Sequence, residues 1–156
     1  MSNTSGSVFP IGSTFQSETR TLSEGECAIL TSLTWTTGAI HSDRPYALTT
    51  EFGELILAGA VIVALAAGLL SSTEIYRDLE HKYGVRTVAA LDANASFKAP
   101  VRFGDSIHLD VTLTEVRASS SRPNCHVLAF SDRVVRQDGV VAVLLDRHIL
   151  VEAIST

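Results

Sequence analysis

The longest apolar run in this chain is Leu55-Ile-Leu-Ala-Gly59-Ala-Val-Ile-Val-Ala-Leu-Ala-Ala-Gly-Leu-Leu70. It carries no charge and is apolar on every side, which is typical of a helix buried in a protein core. As a helix, these residues would extend only about 24 Å, short of the roughly 30 Å hydrocarbon core of a bilayer. The run therefore predicts a buried central helix, from about Gly59 to Lys82, and no membrane association.

A titratable side chain precedes this run. His41 lies 18 residues before Gly59, and none of the ten residues before His41 is acidic. An imidazole titrates near neutral pH, and a helix N-terminus offers free N–H groups and the positive end of the helix dipole. A proton-transfer group beside a helix N-terminus is the least that acyl-thioester chemistry requires of a site.

The second half of the chain changes to the period of two that β-strands produce. Ile107, Leu109 and Val111 alternate with polar residues, and Asp138-Gly139 is a hairpin turn signal. A sheet with one wet face is therefore expected. The predicted strands are Val85–Leu91, Ala93–Phe97, Ser106–Ala118, Asn124–Arg136 and Val140–Val151.

Shorter elements are predicted before the central helix. Ser13–Arg20 is expected to form a strand with Phe15 inward. The capping box at Ser23 predicts a helix over Glu24–Leu33 with Ala28, Ile29 and Leu33 inward. A loop over Thr34–Ala39 and a short helix after Asp43 follow. The fold class is thus α+β, a long apolar helix wrapped by an antiparallel sheet.

Bulk composition limits the other possibilities. The 156 residues are enough for one domain, expected over residues 13–156 after a disordered tail at 1–12. A net charge of −5 argues against a nucleic-acid partner. Cys27 and Cys125 have neither metal-ligand nor CxxC spacing, and the chain begins without a signal-peptide pattern, so we expect a cytoplasmic protein without a metal site.

Three segments together resemble the MaoC-like hydratases and dehydratases, also called (R)-specific enoyl-CoA hydratases. The first is His41-Ser-Asp43-Arg-Pro-Tyr-Ala47 with Thr49-Thr50-Glu-Phe52-Gly53 and Ile56-Leu-Ala-Gly59. The second is Ser96-Phe97-Lys98-Ala-Pro100-Val101-Arg-Phe-Gly104-Asp105, and the third is Gln137-Asp-Gly139. The resemblance covers roughly Arg20 to Glu152.

This resemblance implies the hot-dog fold and a homodimer or higher homo-oligomer in which two sheets join. It implies reversible addition of water to a trans-2-enoyl thioester, giving the (3R)-hydroxyacyl product. The substrate would be an acyl-CoA or an acyl-carrier-protein thioester. No cofactor is implied beyond the CoA or phosphopantetheine that the substrate itself carries.

The chain departs from the family pattern Asp-x-Asn-Pro-x-His. Thr36 stands in the place of the aspartate, Gly38 in that of the asparagine, and Ala58-Gly59 replaces the usual His-Gly. The resemblance assigns His41 as the acid/base, the Gly59 N–H as oxyanion donor and Thr36 as a group that helps to place water. The residues assigned to substrate binding are Gly38, Asp43, Ala58, Lys98 and Arg102.

Several of these assignments have simpler alternatives. His41 could hydrogen-bond a backbone carbonyl, and Gly59 could serve only close packing. Asp43 before Arg44-Pro45 is typical of a helix cap. Lys98 and Arg102 could meet the phosphates of CoA or merely be exposed.

Two other functions remain open from the sequence. A hot-dog thioesterase would need Asp43 or Glu54 to activate water. Alternatively, the chain could be a non-catalytic, thioester-binding partner paired with an active paralogue.

Overall fold

A computed structural model of the protein describes residues 10–154, so the predicted tail lies largely outside the described residues. Near the end of the predicted tail, the Gly12 N–H donates to the Leu113 carbonyl at 2.8 Å. The elements in chain order are β1 (Thr14–Gln16), β2 (Arg20–Thr21), α1 (Glu24–Leu33), α2 (Ala39–Ser42), α3 (Arg44–Leu48), α4 (Gly59–Leu70), α5 (Ile75–His81), β3 (Val85–Phe97), β4 (Ser106–Ala118), β5 (Cys125–Arg136) and β6 (Val141–Ala153).

One antiparallel sheet faces the central helix. Its strand order is β1-β4-β5-β6-β3, and β2 also pairs with β4. β3 stands last in this order and pairs with β6, so it lies at one edge of the sheet. The predicted α+β class and the long helix wrapped by an antiparallel sheet are confirmed.

Helix α4 packs one side against the sheet. Its buried residues are Val61, Ile62, Ala66, Leu69 and Leu70, and the sheet side chains in the same core include Val111, Val134 and Val143. The opposite side of α4 is exposed and consists of Ala60, Ala64, Ala67 and Gly68. The prediction that this helix is buried on every side was therefore wrong. The sheet covers one side of α4, and small exposed residues form the other side.

The predicted helix from Gly59 to Lys82 is broken after Leu70. The axes of α4 and α5 differ by 44°. The hydroxyls of Ser71, Ser72 and Thr73 each donate to the carbonyl three residues earlier, at 2.6 to 2.7 Å. Such side-chain bonds compete with the helical N–H ladder, and three in succession end the helix.

The inward face predicted for α1 was wrong. Ile29 and Leu33 are 59% and 73% exposed, while Cys27 and Thr31 are the buried residues. Cys27 and Thr31 are one turn apart and share a face, whereas a residue two positions later lies about 200° around the helix. Cys27 is also held next to Leu22, the carbonyl of which lies 3.9 Å from its Sγ.

Two strand boundaries differ from the prediction because of irregular pairing. The strand expected over Ser13–Arg20 is divided into β1 and β2 at Ser17, whose hydroxyl accepts the Leu109 N–H at 2.8 Å in place of a backbone carbonyl. Conversely, the two strands expected over residues 85–97 form the single strand β3, with register shifts after Thr87 and Ala90.

Within the described residues, no single helix is long and apolar enough to cross a membrane. The bent pair of α4 and α5 meets the length and composition requirement only when the two helices are taken together.

The capping box of α1 makes stability depend on pH. Hydrogen bonds from Arg20 and Ser23 lower the pKa of Glu26 from 4.5 to about 2. Since the folded-state pKa lies below the unfolded one, ionised Glu26 stabilises the fold above about pH 4.5, and this contribution is lost as pH falls towards 2. The difference in unfolding free energy between wild type and Glu26→Gln should therefore shrink as the pH is lowered through this range.

Urea unfolding of both proteins across a series of pH values measures this difference. Glu51→Gln, which removes a carboxylate from an exposed turn, controls for the loss of one surface charge. A difference for Glu26→Gln that stays constant with pH would contradict the prediction.

Candidate active site

The segment before α4 is held in an extended conformation by a second piece of chain. Ile56 forms an antiparallel bridge with Arg102, and the Leu57 N–H donates to the Val101 carbonyl at 2.8 Å. The segment continues into Ala58, whose extended backbone leads directly into the first turn of α4. The bridge therefore fixes both the Ile56 carbonyl and the point where the helix begins.

His41 lies in the four-residue helix α2 and binds to this segment. Its Nδ1 is 2.8 Å from the Ile56 carbonyl oxygen. A carbonyl can only accept, so Nδ1 carries the proton of the neutral ring and Nε2 holds the lone pair. The expected alternative, a bond from His41 to a backbone carbonyl, is thus present, and it sets the tautomer that leaves Nε2 able to take a proton.

The N-terminus of α4 has no capping side chain. Ala58 stands at the N-cap position and its methyl group cannot accept a hydrogen bond. The N–H groups of Val61 and Ile62 donate to the Ala58 carbonyl. Among the described residues, the N–H groups of Gly59 and Ala60 have no such partner, as expected for the first turn of a helix.

A cavity of about 500 Å³ brings His41 and Gly59 together. Its other walls are mainly apolar, and no acidic residue is among those that line it. The sequence reasoning missed most of these walls, because they are ordinary core-type side chains whose meeting depends on the fold. They include Phe52, Ile56, Leu57, Ile62, Phe97 and Pro100.

Phe97 explains why a glycine begins the helix. A Cβ built on Gly59 would lie 2.5 Å from Cε1 of the Phe97 ring. Real Cβ atoms do not approach another atom so closely, so the ring can rest over the helix start only when residue 59 has no side chain. Close packing and a possible donor role for Gly59 are therefore compatible.

Three other predicted site residues also lie at or near this cavity. Lys98 lines it and is exposed. A Cβ built on Gly38 would lie 3.7 Å from the His41 ring, so Gly38 is a close neighbour of the imidazole. Ala58 is buried directly before Gly59 and supplies the helix-capping carbonyl.

The remaining predicted residues do not line the cavity. The Thr36 hydroxyl pairs with that of Thr34 at 2.9 Å. Asp43 accepts the Tyr46 N–H at 3.2 Å and caps α3, in line with the helix-cap alternative. Arg102 forms an ion pair with Glu54, with its Nε 2.7 Å from Oε1.

Within residues 10–154, no three His, Cys, Asp or Glu side chains are grouped as metal ligands would be.

Comparisons with known proteins identify the family to which this chain belongs. The family model described as "MaoC like domain" matches residues 7–130. The (R)-specific enoyl-CoA hydratase of Aeromonas caviae is 29% identical over 118 residues, which are 76% of this chain and 78% of that protein.

Two solved structures share the fold. The A. caviae (R)-hydratase involved in PHA biosynthesis has a TM-score of 0.69 and 25% identity, covering 94% of this chain and 98% of that one. One chain of the HadBC (3R-hydroxyacyl-ACP dehydratase) complex of Mycobacterium tuberculosis has a TM-score of 0.73 and 12% identity, covering 92% and 98%. The protein therefore belongs to the MaoC-like dehydratase domain family and has its hot-dog fold.

Proposed function

We propose that this protein adds water reversibly to a trans-2-enoyl thioester and releases a (3R)-hydroxyacyl thioester. The observation that carries the proposal is the single cavity in which His41, with its tautomer set by Ile56, meets the uncapped start of α4 at Gly59. Membership in a hydratase and dehydratase family supports the same reaction.

In the proposed mechanism, His41 is the acid/base. Its Nε2 removes a proton from water as the oxygen attacks C3 of the enoyl group. The double-bond electrons move to C2 and the thioester carbonyl, which gives an enolate. The imidazolium then returns the proton to C2, so atoms and charge balance over the cycle. No second acid/base is needed, and we assign none to Thr36, because a hydroxyl cannot act as a base at neutral pH.

The first turn of α4 is proposed to stabilise the enolate. Negative charge collects on the thioester oxygen in the transition state, and the Gly59 N–H is a fixed donor at the positive end of the helix dipole. Because no side chain caps this end, the donor does not have to break an existing bond before it binds the oxygen.

We propose that CoA or the phosphopantetheine of a carrier protein presents the substrate. Lys98, exposed at the cavity, is positioned to meet a phosphate, whereas Arg102 is engaged by Glu54. Acid/base hydration of this kind uses no resident cofactor, and we propose none. We propose a cytoplasmic location, because the two cysteines, Cys27 and Cys125, are buried free thiols, as is usual in a reducing compartment.

We also propose that two copies join through β3. This edge strand is exposed along most of its length and presents Val88, Leu91 and Phe97 to the surroundings. A long edge strand of this kind, with only Arg86 and Asp92 charged, is a template for pairing with another strand. A second copy would cover it, and an active paralogue could do the same.

The thioesterase alternative is less well supported. It requires a carboxylate beside the thioester, but Asp43 caps α3 and Glu54 holds Arg102. Since the described residues that line the cavity include no carboxylate, they supply a base only through His41.

Replacing His41 tests the proposed acid/base directly. His41→Ala should lower the rate of enoyl-CoA hydration by about 100-fold or more, as expected for loss of a general acid/base. The assay is the hydration of crotonyl-CoA and longer enoyl-CoA substrates by the purified protein.

Two controls accompany this variant. His41→Asn should be equally slow, because its amide can still donate to the Ile56 carbonyl but cannot take a proton. His126→Ala removes an exposed histidine of β5 and should keep the wild-type rate. Wild-type inactivity at every chain length, or an active His41→Asn, would refute the proposed mechanism.

Gly59 and Phe97 form a coupled pair. Gly59→Ala should slow hydration by about tenfold or more, because the added methyl group displaces the Phe97 ring or shifts the helix start. Gly59→Ala with Phe97→Ala should recover part of the rate, since the clash is gone. Rates of both single variants and the double variant measure the coupling, and strictly additive losses would contradict it.

Thr36 offers a gain-of-function test. Thr36→Asp places a carboxylate at the position where the family carries one, and should raise the hydration rate by about tenfold or more. Thr36→Asn, similar in size but uncharged, is the matched control and should not. Equal rates for both variants would show that a carboxylate at this position cannot reach the reacting water.

A further inference from the structure

A second cavity, of about 200 Å³, lies farther along α4. Both cavities are walled by α4 and β3: the first by Gly59, Ile62 and Phe97, the second by Val63, Ala67 and Ala93. Ala67 is eight residues beyond Gly59, or about 12 Å along a helix. An acyl group that started at Gly59 and followed the helix over this distance would have its far end at the second cavity.

The floor of this cavity is charged, although it lies in the core. Asp132 on β5 is 2% exposed and Arg147 on β6 is largely buried, and both line the cavity. Their register partners Leu145 and Phe130 are buried apolar residues. The Arg147 guanidinium also lies 4.3 Å from the centre of the Phe130 ring. A charged pair here costs desolvation that apolar residues of similar size would avoid.

The pair leaves one donor and one acceptor unused. Nε of Arg147 donates to Oδ2 of Asp132. Among the described residues, Nη2 of Arg147 and Oδ1 of Asp132 are buried and have no hydrogen-bond partner. In a bidentate arginine–carboxylate pair these two atoms would also hydrogen-bond to each other. Here that second hydrogen bond is not formed. Buried polar atoms are nearly always hydrogen-bonded, so Nη2 and Oδ1 require a further hydrogen-bond partner.

The charges around the cavity restrict that partner to a neutral group. Asp132 and Arg147 compensate each other, and at the rim Asp92 pairs with His148, Oδ1 to Nδ1, at 2.7 Å. An anion would meet the carboxylates of Asp132 and Asp92, and a cation would meet Arg147. A hydroxyl group avoids both conflicts, because it can accept from Nη2 and donate to Oδ1 at the same time.

We propose that the second cavity binds a hydroxyl group at the far end of the acyl chain, so that the protein selects hydroxylated enoyl thioesters over plain ones. This inference rests on the proposed function, since it takes the chain to begin at His41 and Gly59. Asp132 and Arg147 are then the residues that determine specificity for the acyl group. His148 belongs to the rim of this cavity.

Binding of unreactive substrates tests the proposal without relying on catalysis. Calorimetry on the whole 156-residue chain compares saturated acyl-CoA with the matched ω-hydroxyacyl-CoA at short, medium and long acyl-chain lengths. At the length that reaches the cavity, the hydroxylated thioester should bind about 10- to 100-fold more tightly, the range for a hydrogen bond to charged groups. Equal or weaker binding at every length would overturn the inference.

A double variant then locates the selectivity. Asp132→Leu with Arg147→Met makes the floor apolar without leaving one charge unpaired, and should abolish or reverse the preference. Arg86→Met with Glu152→Leu is the matched control, because it also removes an ion pair between two adjacent strands of the sheet, here β3 and β6, and neither residue lines the cavity, so it should keep the preference. A preference that survives in Asp132→Leu/Arg147→Met would overturn the assignment.

The outcomes also separate this inference from the proposed function. Equal binding of both thioesters contradicts only the hydroxyl selectivity, whereas binding of neither contradicts the proposed function and this inference together. If the double variant does not fold, the comparison of the two thioesters on the wild-type protein still decides the question.

Discussion

The packing of α4 against the sheet is the constraint on which the rest of this structure depends. Val61, Ile62 and Ala66 enter a core enclosed by β4, β5 and β6. The chain just before the helix is extended because Leu57 is bonded to Val101, so the helix can begin only at Gly59. As a result, His41 and Gly59, the proposed acid/base and the proposed donor, line the same cavity.

The same core contains two departures from ordinary packing. One is the helix start, where Ala58 provides no capping side chain. The other is the Asp132–Arg147 pair, buried with an unpartnered atom on each side chain. Natural proteins keep such locally unfavourable features chiefly where they serve binding or catalysis. Their positions near the two ends of α4 suit a substrate that lies along the helix, with its thioester at Gly59 and its far end at Arg147.

Much of the fold could be predicted from local pattern. β4 matches its prediction from Ser106 to Ala118, and α1 matches from Glu24 to Leu33, because alternation and the capping box are signals within a few residues. The break after Leu70 was missed because hydroxyls that bond back to the helix leave no mark in the hydrophobic period. The buried face of α1 was missed because tertiary contacts at Cys27 decide it.

The site was only partly predictable for a similar reason. The family resemblance puts His41 and Gly59 in register with the family's pattern, and the structure places both in one cavity. The Ile56 carbonyl that sets the tautomer is backbone and carries no sequence signal. Asp132 and Arg147 are on adjacent strands and meet only through the register of β5 and β6. The ion pair between Arg102 and Glu54 also depends on the fold, so the sequence alone could not indicate it.

The most direct test of the central claim is a crystal structure of the protein with a bound saturated acyl-CoA. The account predicts that the thioester oxygen accepts a hydrogen bond from the Gly59 N–H, with C3 of the acyl group next to Nε2 of His41. An acyl group bound elsewhere, or a thioester oxygen turned away from the start of α4, would contradict it.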